Sequence, residues 1–315
     1  MKKLLSLLLL ACLLAGCGAP PSSAGALPQS TASSSAVVFT DALGREVTVD
    51  RPRRVAALIG SFADIWCLAG GKDTLVAAAN DTWTSFDLGL GDAVADLGAI
   101  KEPNLEVLLA AQPDLVLASS NTAADVALCD VFEQTGITAA YFDVQTFDDY
   151  LNMLEICTRI TGCAENYEQY GTAVQSRVEQ ALARQDGTRP TVLCIRATGA
   201  SCKVKGSADN VLGEMLAGLG CVNVADGDAA LLEDLSLEAI LAADPDYIFA
   251  VLQGADPTDA QKTLDAALLT NPAWSSLRAV QEGRFYTLDH KLFNLKPNAR
   301  WGEAYEILAD ILYPG

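Results

Sequence analysis

A single histidine, His290, stands among 21 basic and 40 acidic residues in a chain of 315. A nucleophilic triad needs an imidazole base held by further partners, and a zinc site usually needs several His or Cys ligands. One histidine leaves little room for either, and the same shortage disfavours a carrier of bare Zn²⁺ or Mn²⁺. The sequence has no GxSxG elbow, HExxH pair, Walker A loop or GxGxxG turn. Asp148 and Asp149 are paired carboxylates, but they fall at a predicted helix start, where capping accounts for them. Of nine cysteines, Cys12 and Cys17 belong to the N-terminal leader. Cys67, Cys129, Cys157, Cys163, Cys194, Cys202 and Cys221 form an odd set without a CxxC pair, mostly in apolar patterns, and read as buried free thiols. The chemistry left is recognition, with no metal ligand set and no catalytic group.

Glu106 and Glu238 carry a different signal, because they occupy one position of an internal repeat. LEVLLAAQPDLVLA (Leu105 to Ala118) and LEAILAADPDYIFA (Leu237 to Ala250) share eight of fourteen residues without a gap. Each copy starts at an N-cap candidate (Asn104, Ser236), runs as a short Leu/Ala-rich helix, breaks at a Pro-Asp turn and ends in an apolar run. That is a helix-turn-strand unit, and an unbroken apolar strand suits a parallel sheet covered on both faces. Either carboxylate alone is explained by the dipole of its own helix. Their matched placement is what adds meaning.

Between the copies, the spacing of Tyr167, Gly171, Val174, Val178, Ala181 and Leu182 predicts one long helix from Ala164 to Gln185, stopped by Gly187 and Pro190. Before it, the pattern gives a hairpin over Phe39 to Val49, strands at Arg54 to Gly60, Thr74 to Asn80 and Ile137 to Asp143, and helices at Phe62 to Ala69, Ala123 to Thr135 and Phe147 to Ile160. Asp81 to Leu90 reads as a polar, aromatic loop. After the long helix come a strand at Thr191 to Arg196, a loop with Lys203 and Lys205, a helix at Val211 to Leu219, a short strand at Val222 to Ala225, a last strand at Arg284 to Asp289 and a last helix at Trp301 to Leu312. The expectation is α/β: two lobes with parallel-rich sheets joined by a single long α-helix.

Lys2 and Lys3 followed by a leucine-rich core mark an export signal too short to span a bilayer. It ends in LAGC at Cys17, similar to a bacterial lipoprotein box, which implies lipidation of Cys17 and a protein tethered outside the cytoplasm. The Ser/Ala/Pro-rich stretch after Cys17 reads as a disordered tether. A net charge of −19 excludes a nucleic-acid partner, because nothing is present to displace phosphate counterions. The expected division is 1–17 signal and lipobox, 18–36 tether, 37–163 N-terminal lobe, 164–186 linking helix and 187–315 C-terminal lobe.

TDALGREV (Thr40 to Val47), Arg53-Arg54-Val55, NLEVLLAAQPDLVLA, MLAGLGCVNVAD (Met215 to Asp226), SLEAILAADPDYI and NPAW (Asn271 to Trp274), in that order, resemble the substrate-binding proteins of ABC importers for ferric siderophores, haem and cobalamin, the helical-backbone class. The resemblance covers nearly the whole chain after the leader. It implies a ligand cleft between the lobes, built at the carboxyl ends of the strands. Carried onto this sequence, it points to Ser61, Trp83, Ser119, Ser120 and Asn121 in the first lobe, and to Arg196, Gln253, His290 and Lys291 in the second. It also implies docking of Glu106 and Glu238 to the two permease subunits of an ABC permease and its ATPase, with the binding protein a monomer. A guanidinium at Arg196 suits a carboxylate or catecholate. The implied ligand is a ferric siderophore-type complex, with haem or cobalamin the alternatives, no intrinsic cofactor, and a lipoprotein enzyme the rival from another class. LFNLKPNARW (Leu292 to Trp301) departs from the commoner family ending and leaves Lys296 and Arg300 to face either cleft or solvent.

Overall fold

The structure, a computed structural model, describes residues 36–208, 210–254 and 257–314; the expected leader, lipobox Cys17 and tether up to residue 35 lie outside it. Val37–Thr40 (β1) and Glu46–Val49 (β2) pair antiparallel, turning where Gly44 takes φ +76°, a conformation glycine adopts without a Cβ penalty. Val55–Ala57 (β3), Leu75–Ala78 (β4), Ala95–Asp96 (β5), Leu115–Ser119 (β6) and Thr138–Phe142 (β7) then form a parallel sheet in the order β5-β4-β3-β6-β7. Thr191–Ala197 (β8), Cys202–Lys205 (β9), Val222–Asn223 (β10), Tyr247–Leu252 (β11) and Phe285–Leu288 (β12) make the second sheet, β10-β8-β11-β12, with β9 antiparallel to β8.

Six helices position the repeat copies, the cleft wall and the link between the sheets. They are α1 (Gly60–Leu68), α2 (Leu105–Ala110), α3 (Phe147–Thr161), α4 (164–182), α5 (Leu237–Ala243) and α6 (Trp301–Leu312). The capping box expected at the start of α3 is present, with Asp149 accepting from the backbone of Thr146 and the Thr146 hydroxyl accepting from Asp149 N–H. Both repeat copies fold as helix, turn and parallel strand on the predicted caps: Asn104 accepts from Val107 N–H and Ser236 from Ala239 N–H.

Four elements differ from expectation. Residues 202–205 are a strand rather than a loop, since Val204 alternates inward between exposed Lys203 and its neighbour while the segment folds back on β8. The helix expected over 123–135 breaks at Leu128, because its first turn is tied to the end of β6 through Asp125. Residues 81–85 form a short helix before the loop. The linking helix ends at Leu182 and contains a π turn at Glu168–Thr172. Tyr150 donates its hydroxyl to the Tyr170 carbonyl at 2.8 Å, engaging a carbonyl of that turn, and Gly171 gives room to the Tyr167 ring.

The apolar face of α4 is nevertheless where predicted, with Val174, Val178 and Ala181 buried. It packs on α6 and is clamped there by a bidentate Arg177–Glu306 pair at 2.7–2.8 Å and by Arg184, which reaches Asp310 and the Tyr313 carbonyl. Alternate strand residues face two ways. Val55, Leu117, Val192 and Cys194 enter one core that also holds Val178, Leu216 and Trp301, while Ala56, Val116 and Tyr141 form a second core and Leu193, Ile195 and Phe285 a third. The first of these runs through both lobes, so apolar burial itself couples them.

Candidate ligand cleft

The sequence-predicted residues lie at or just after the carboxyl ends of parallel strands: Ser119 and Arg196 in the strands themselves, Ser61, Trp83, His290 and Lys291 in the helices that follow, and Ser120, Asn121 and Gln253 in the connections. Ser61, in the first turn of α1 after β3, is 4% exposed; its carbonyl accepts from the Asn298 amide at 2.9 Å. Trp83, after β4, is 41% exposed. Ser119, at the end of β6, donates its N–H to the Asp125 carboxylate at 2.8 Å, and its hydroxyl accepts from Asn121 N–H at 3.2 Å. Ser120 reaches the Phe142 carbonyl, and the Asn121 amide donates to Asp143. In the second lobe Arg196 is half-buried near the end of β8, Gln253 donates its N–H to the Ala197 carbonyl at 2.8 Å, and His290 opens a short helix with its imidazole 3.7 Å from Asp289. Lys291 is exposed on the same helix.

A cavity of about 310 Å³ opens between residues 85–88 of the first lobe and 291–300 of the second. Asp64, Phe86, Asp87, Lys291, Lys296 and Arg300 are on its wall. Of the nine predicted cleft residues it includes Lys291, whereas Arg196 borders a separate narrow crevice with Lys205, Asn210 and Phe293. The sequence leaves Lys296 and Arg300 open between cleft and solvent; both line the cavity, and Arg300 is held by two bonds of 2.7 and 2.8 Å to Glu303.

Asp64, Asp81, Asp125 and Asn298 escape sequence reasoning. Burial pushes the Asp64 carboxyl up to about 6 despite an Asn298 amide bond of 2.8 Å, and pushes Asp125 up to about 7 against its bond from Ser119 N–H. Burial also raises Asp81, whose two oxygens accept from Gly60 N–H at 2.9 and 3.0 Å at the start of α1. Asn298 is fully buried with φ +50°, a left-handed backbone that asparagine tolerates better than most side chains. The one sequence signal for it is Pro297-Asn298 after Lys296, a turn-forming pair in the divergent ending. Its contact 237 residues away in the chain has no local sign.

Among the described residues no group of His, Cys, Asp and Glu could hold a metal ion, and all seven cysteines are unpaired. Burial pushes Cys67 and Cys221 up to about 12, which suits inert packing thiols.

Residues 55–292 match the family model described as periplasmic binding protein. The chain belongs to that family. An uncharacterized ABC transporter substrate-binding lipoprotein, YvrC of Bacillus subtilis (strain 168), is 26% identical over 317 residues, covering 98% of this binding protein and 96% of its own length. The Fe(3+)-citrate-binding protein YfmC of the same organism is 27% identical over 296 residues, covering 91% and 88%. The crystal structure of a TroA-like periplasmic binding protein, FepB from Veillonella parvula, superposes with a TM-score of 0.71 at 18% identity, covering 88% of this binding protein and 90% of that chain. The helical-backbone class of binding protein, expected from the sequence, is borne out by family and fold, and these are solute-binding proteins rather than enzymes.

Proposed function

We propose that this binding protein captures an anionic ferric siderophore-type complex between its lobes and delivers it to an ABC permease with its ATPase, while a lipid on Cys17 holds it to the outer face of the bacterial membrane. The observation that carries the ligand reading is the two-lobed cavity whose cations are Lys291, Lys296 and Arg300. Asp64 and Asp87 share that wall and Glu303 engages Arg300, so the reading rests on Lys291 and Lys296 as the cations left to meet a negative chelate. The Fe(3+)-citrate-binding relative supports the same class, and the lipoprotein relative supports the anchor. Within this reading Lys291 meets the ligand in the cavity, Ser61, Trp83, Ser119, Ser120, Asn121, Gln253 and His290 are further candidate cleft residues at the strand ends, Arg196 stands in its own crevice, residues 37–163 and 187–315 act as the two lobes, and the protein works as a monomer. Glu106 and Glu238, both exposed, meet the two permease subunits.

Tryptophan-fluorescence titration of the full chain tests the ligand. Ferric citrate and ferric catecholate complexes, haemin and cobalamin are added separately, and saturable binding of an anionic ferric complex is expected. Binding of cobalamin or haemin alone, or tight binding of uncomplexed Fe³⁺, overturns the proposal.

A further inference from the structure

Lys296 differs from the other two cations of the cavity in how it is mounted and in what it faces. Arg300 is engaged by Glu303, and Lys291 stands exposed at the rim. Lys296 is half-buried, and among the described residues no carboxylate lies within ion-pair distance of its ammonium. The carboxylates whose charge it feels, Asp143 and Asp81, come from the first lobe and are committed elsewhere: Asp143 to the amides of Asn121 and Gln145, Asp81 to Gly60 N–H. Burial lowers the Lys296 pKa, with those two acids opposing it.

Its backbone is fixed on both sides. Leu295 N–H donates to the His290 carbonyl at 2.9 Å. Pro297 restricts the chain after it, and fully buried Asn298 ties the segment to Ser61 and Asp64 of α1 across the lobe boundary. A half-buried, incompletely neutralised ammonium carried on a fixed backbone in a concave wall has less freedom to lose when it meets an anion than a flexible surface lysine, so its contribution to selectivity is larger.

Resting on the ferric-complex reading of the cleft, we infer that Lys296 is the specificity-determining cation of the cleft, selecting ferric complexes that present a carboxylate and discriminating against neutral ferric hydroxamates. Arg196, in its separate crevice, does not make this distinction. The selection is by charge, so it weakens as salt rises.

The test titrates the full chain and its Lys296→Gln, Lys296→Met and Lys296→Arg variants with ferric citrate and with a neutral ferric trihydroxamate, after thermal melts establish that each variant folds. The expected result is a loss of ferric citrate affinity of at least tenfold in the Gln and Met variants, retention within about threefold in the Arg variant, and hydroxamate binding equally weak in all. Ferric citrate affinity within twofold of the parent in the Gln or Met variant overturns the inference and leaves the ferric-complex reading standing. A parent chain that binds hydroxamate better than citrate does the same. A parent chain that binds neither complex nor any other ferric chelate overturns both.

Discussion

The two repeat copies solve one packing problem with different donors. In each, the residue before Pro takes a left-handed backbone, Gln112 at φ 47° and Asp244 at φ 37°. In each, the Asp after Pro pins the start of the neighbouring central strand: Asp114 accepts from Arg53 and Arg54 N–H at 2.9 and 3.0 Å, and Asp246 from Thr191 N–H and hydroxyl at 2.8 and 2.7 Å. The helix ends are then closed from opposite directions in the chain. Arg54, upstream, donates to the Ala111 and Gln112 carbonyls of the first copy, whereas Arg278, downstream, donates to the Asp244 carbonyl and pairs with Asp246 at 2.9 Å in the second. The helix-turn-strand geometry is thus what the repeat preserves, and the cations that complete it are interchangeable in origin because any donor in reach satisfies the last carbonyls.

If the copies are a matched docking pair, removing both carboxylates has the largest effect. The Glu106→Ala/Glu238→Ala double variant is expected to abolish uptake in a reconstituted importer while ligand affinity stays within twofold, and charge reversal is expected to be worse. Undiminished uptake by the double variant would reduce the two glutamates to dipole-stabilising residues.

Stability separates the copies by a smaller margin. Asp246 is half-buried and serves Thr191 and Arg278, whereas Asp114 is exposed. Asp246→Ala is therefore expected to cost about 2–3 kcal/mol and Asp114→Ala about 1 kcal/mol in denaturant unfolding, on the usual scale for charge-assisted hydrogen bonds. Burial raises the Asp246 carboxyl, but the Thr191 bonds and then Arg278 and Arg284 outweigh it and hold the group below its ordinary 3.8. A carboxyl with a depressed folded pKa stabilises above its unfolded value and loses that stabilisation as pH falls through the folded one. Acid unfolding below about pH 4 should consequently shift in Asp246→Asn; an unchanged acid limb would dissolve the contrast.

The smallest effect lies at the turn. Gln112→Gly relieves a left-handed side chain with no bond of its own and is expected to stabilise by about 0.5 kcal/mol, the strain removed exceeding the added unfolded-state entropy. Asp244→Gly forfeits the carboxylate bond to Arg278 N–H at 2.9 Å and is expected to be neutral or destabilising. Equal shifts in paired thermal melts would mean that Asp244 contributes only its backbone.

Periodicity is enough for most of the fold because local burial alternates with the secondary-structure repeat. It marks residues 301–312 as a helix with the observed bounds and places both copies of the repeat with their caps. Residues 202–205 escape it because two lysines in four residues read as a loop, although one inward valine suffices for an edge strand on an ordered neighbour. The π turn leaves no periodic sign, and the partner of its Tyr170 carbonyl is a tyrosine hydroxyl from α3.

The cleft divides along the same line. That Ser61, Trp83, Ser119, Arg196, Gln253 and His290 stand at or after strand ends follows from the βα alternation that the sequence spells out, although none of the six lines the cavity. Lys296, Asp64 and Asn298 belong to one wall only because residues 294–300 cross back to α1, and the shared core under α4 and α6 holds the lobes close enough for that crossing. Chain order sets hydrophobic pattern and turn chemistry, which are local. The burial that raises Asp64, the incompletely neutralised charge of Lys296 and the left-handed fit of Asn298 are properties of surfaces brought together from opposite ends of the chain, and only tertiary packing decides them.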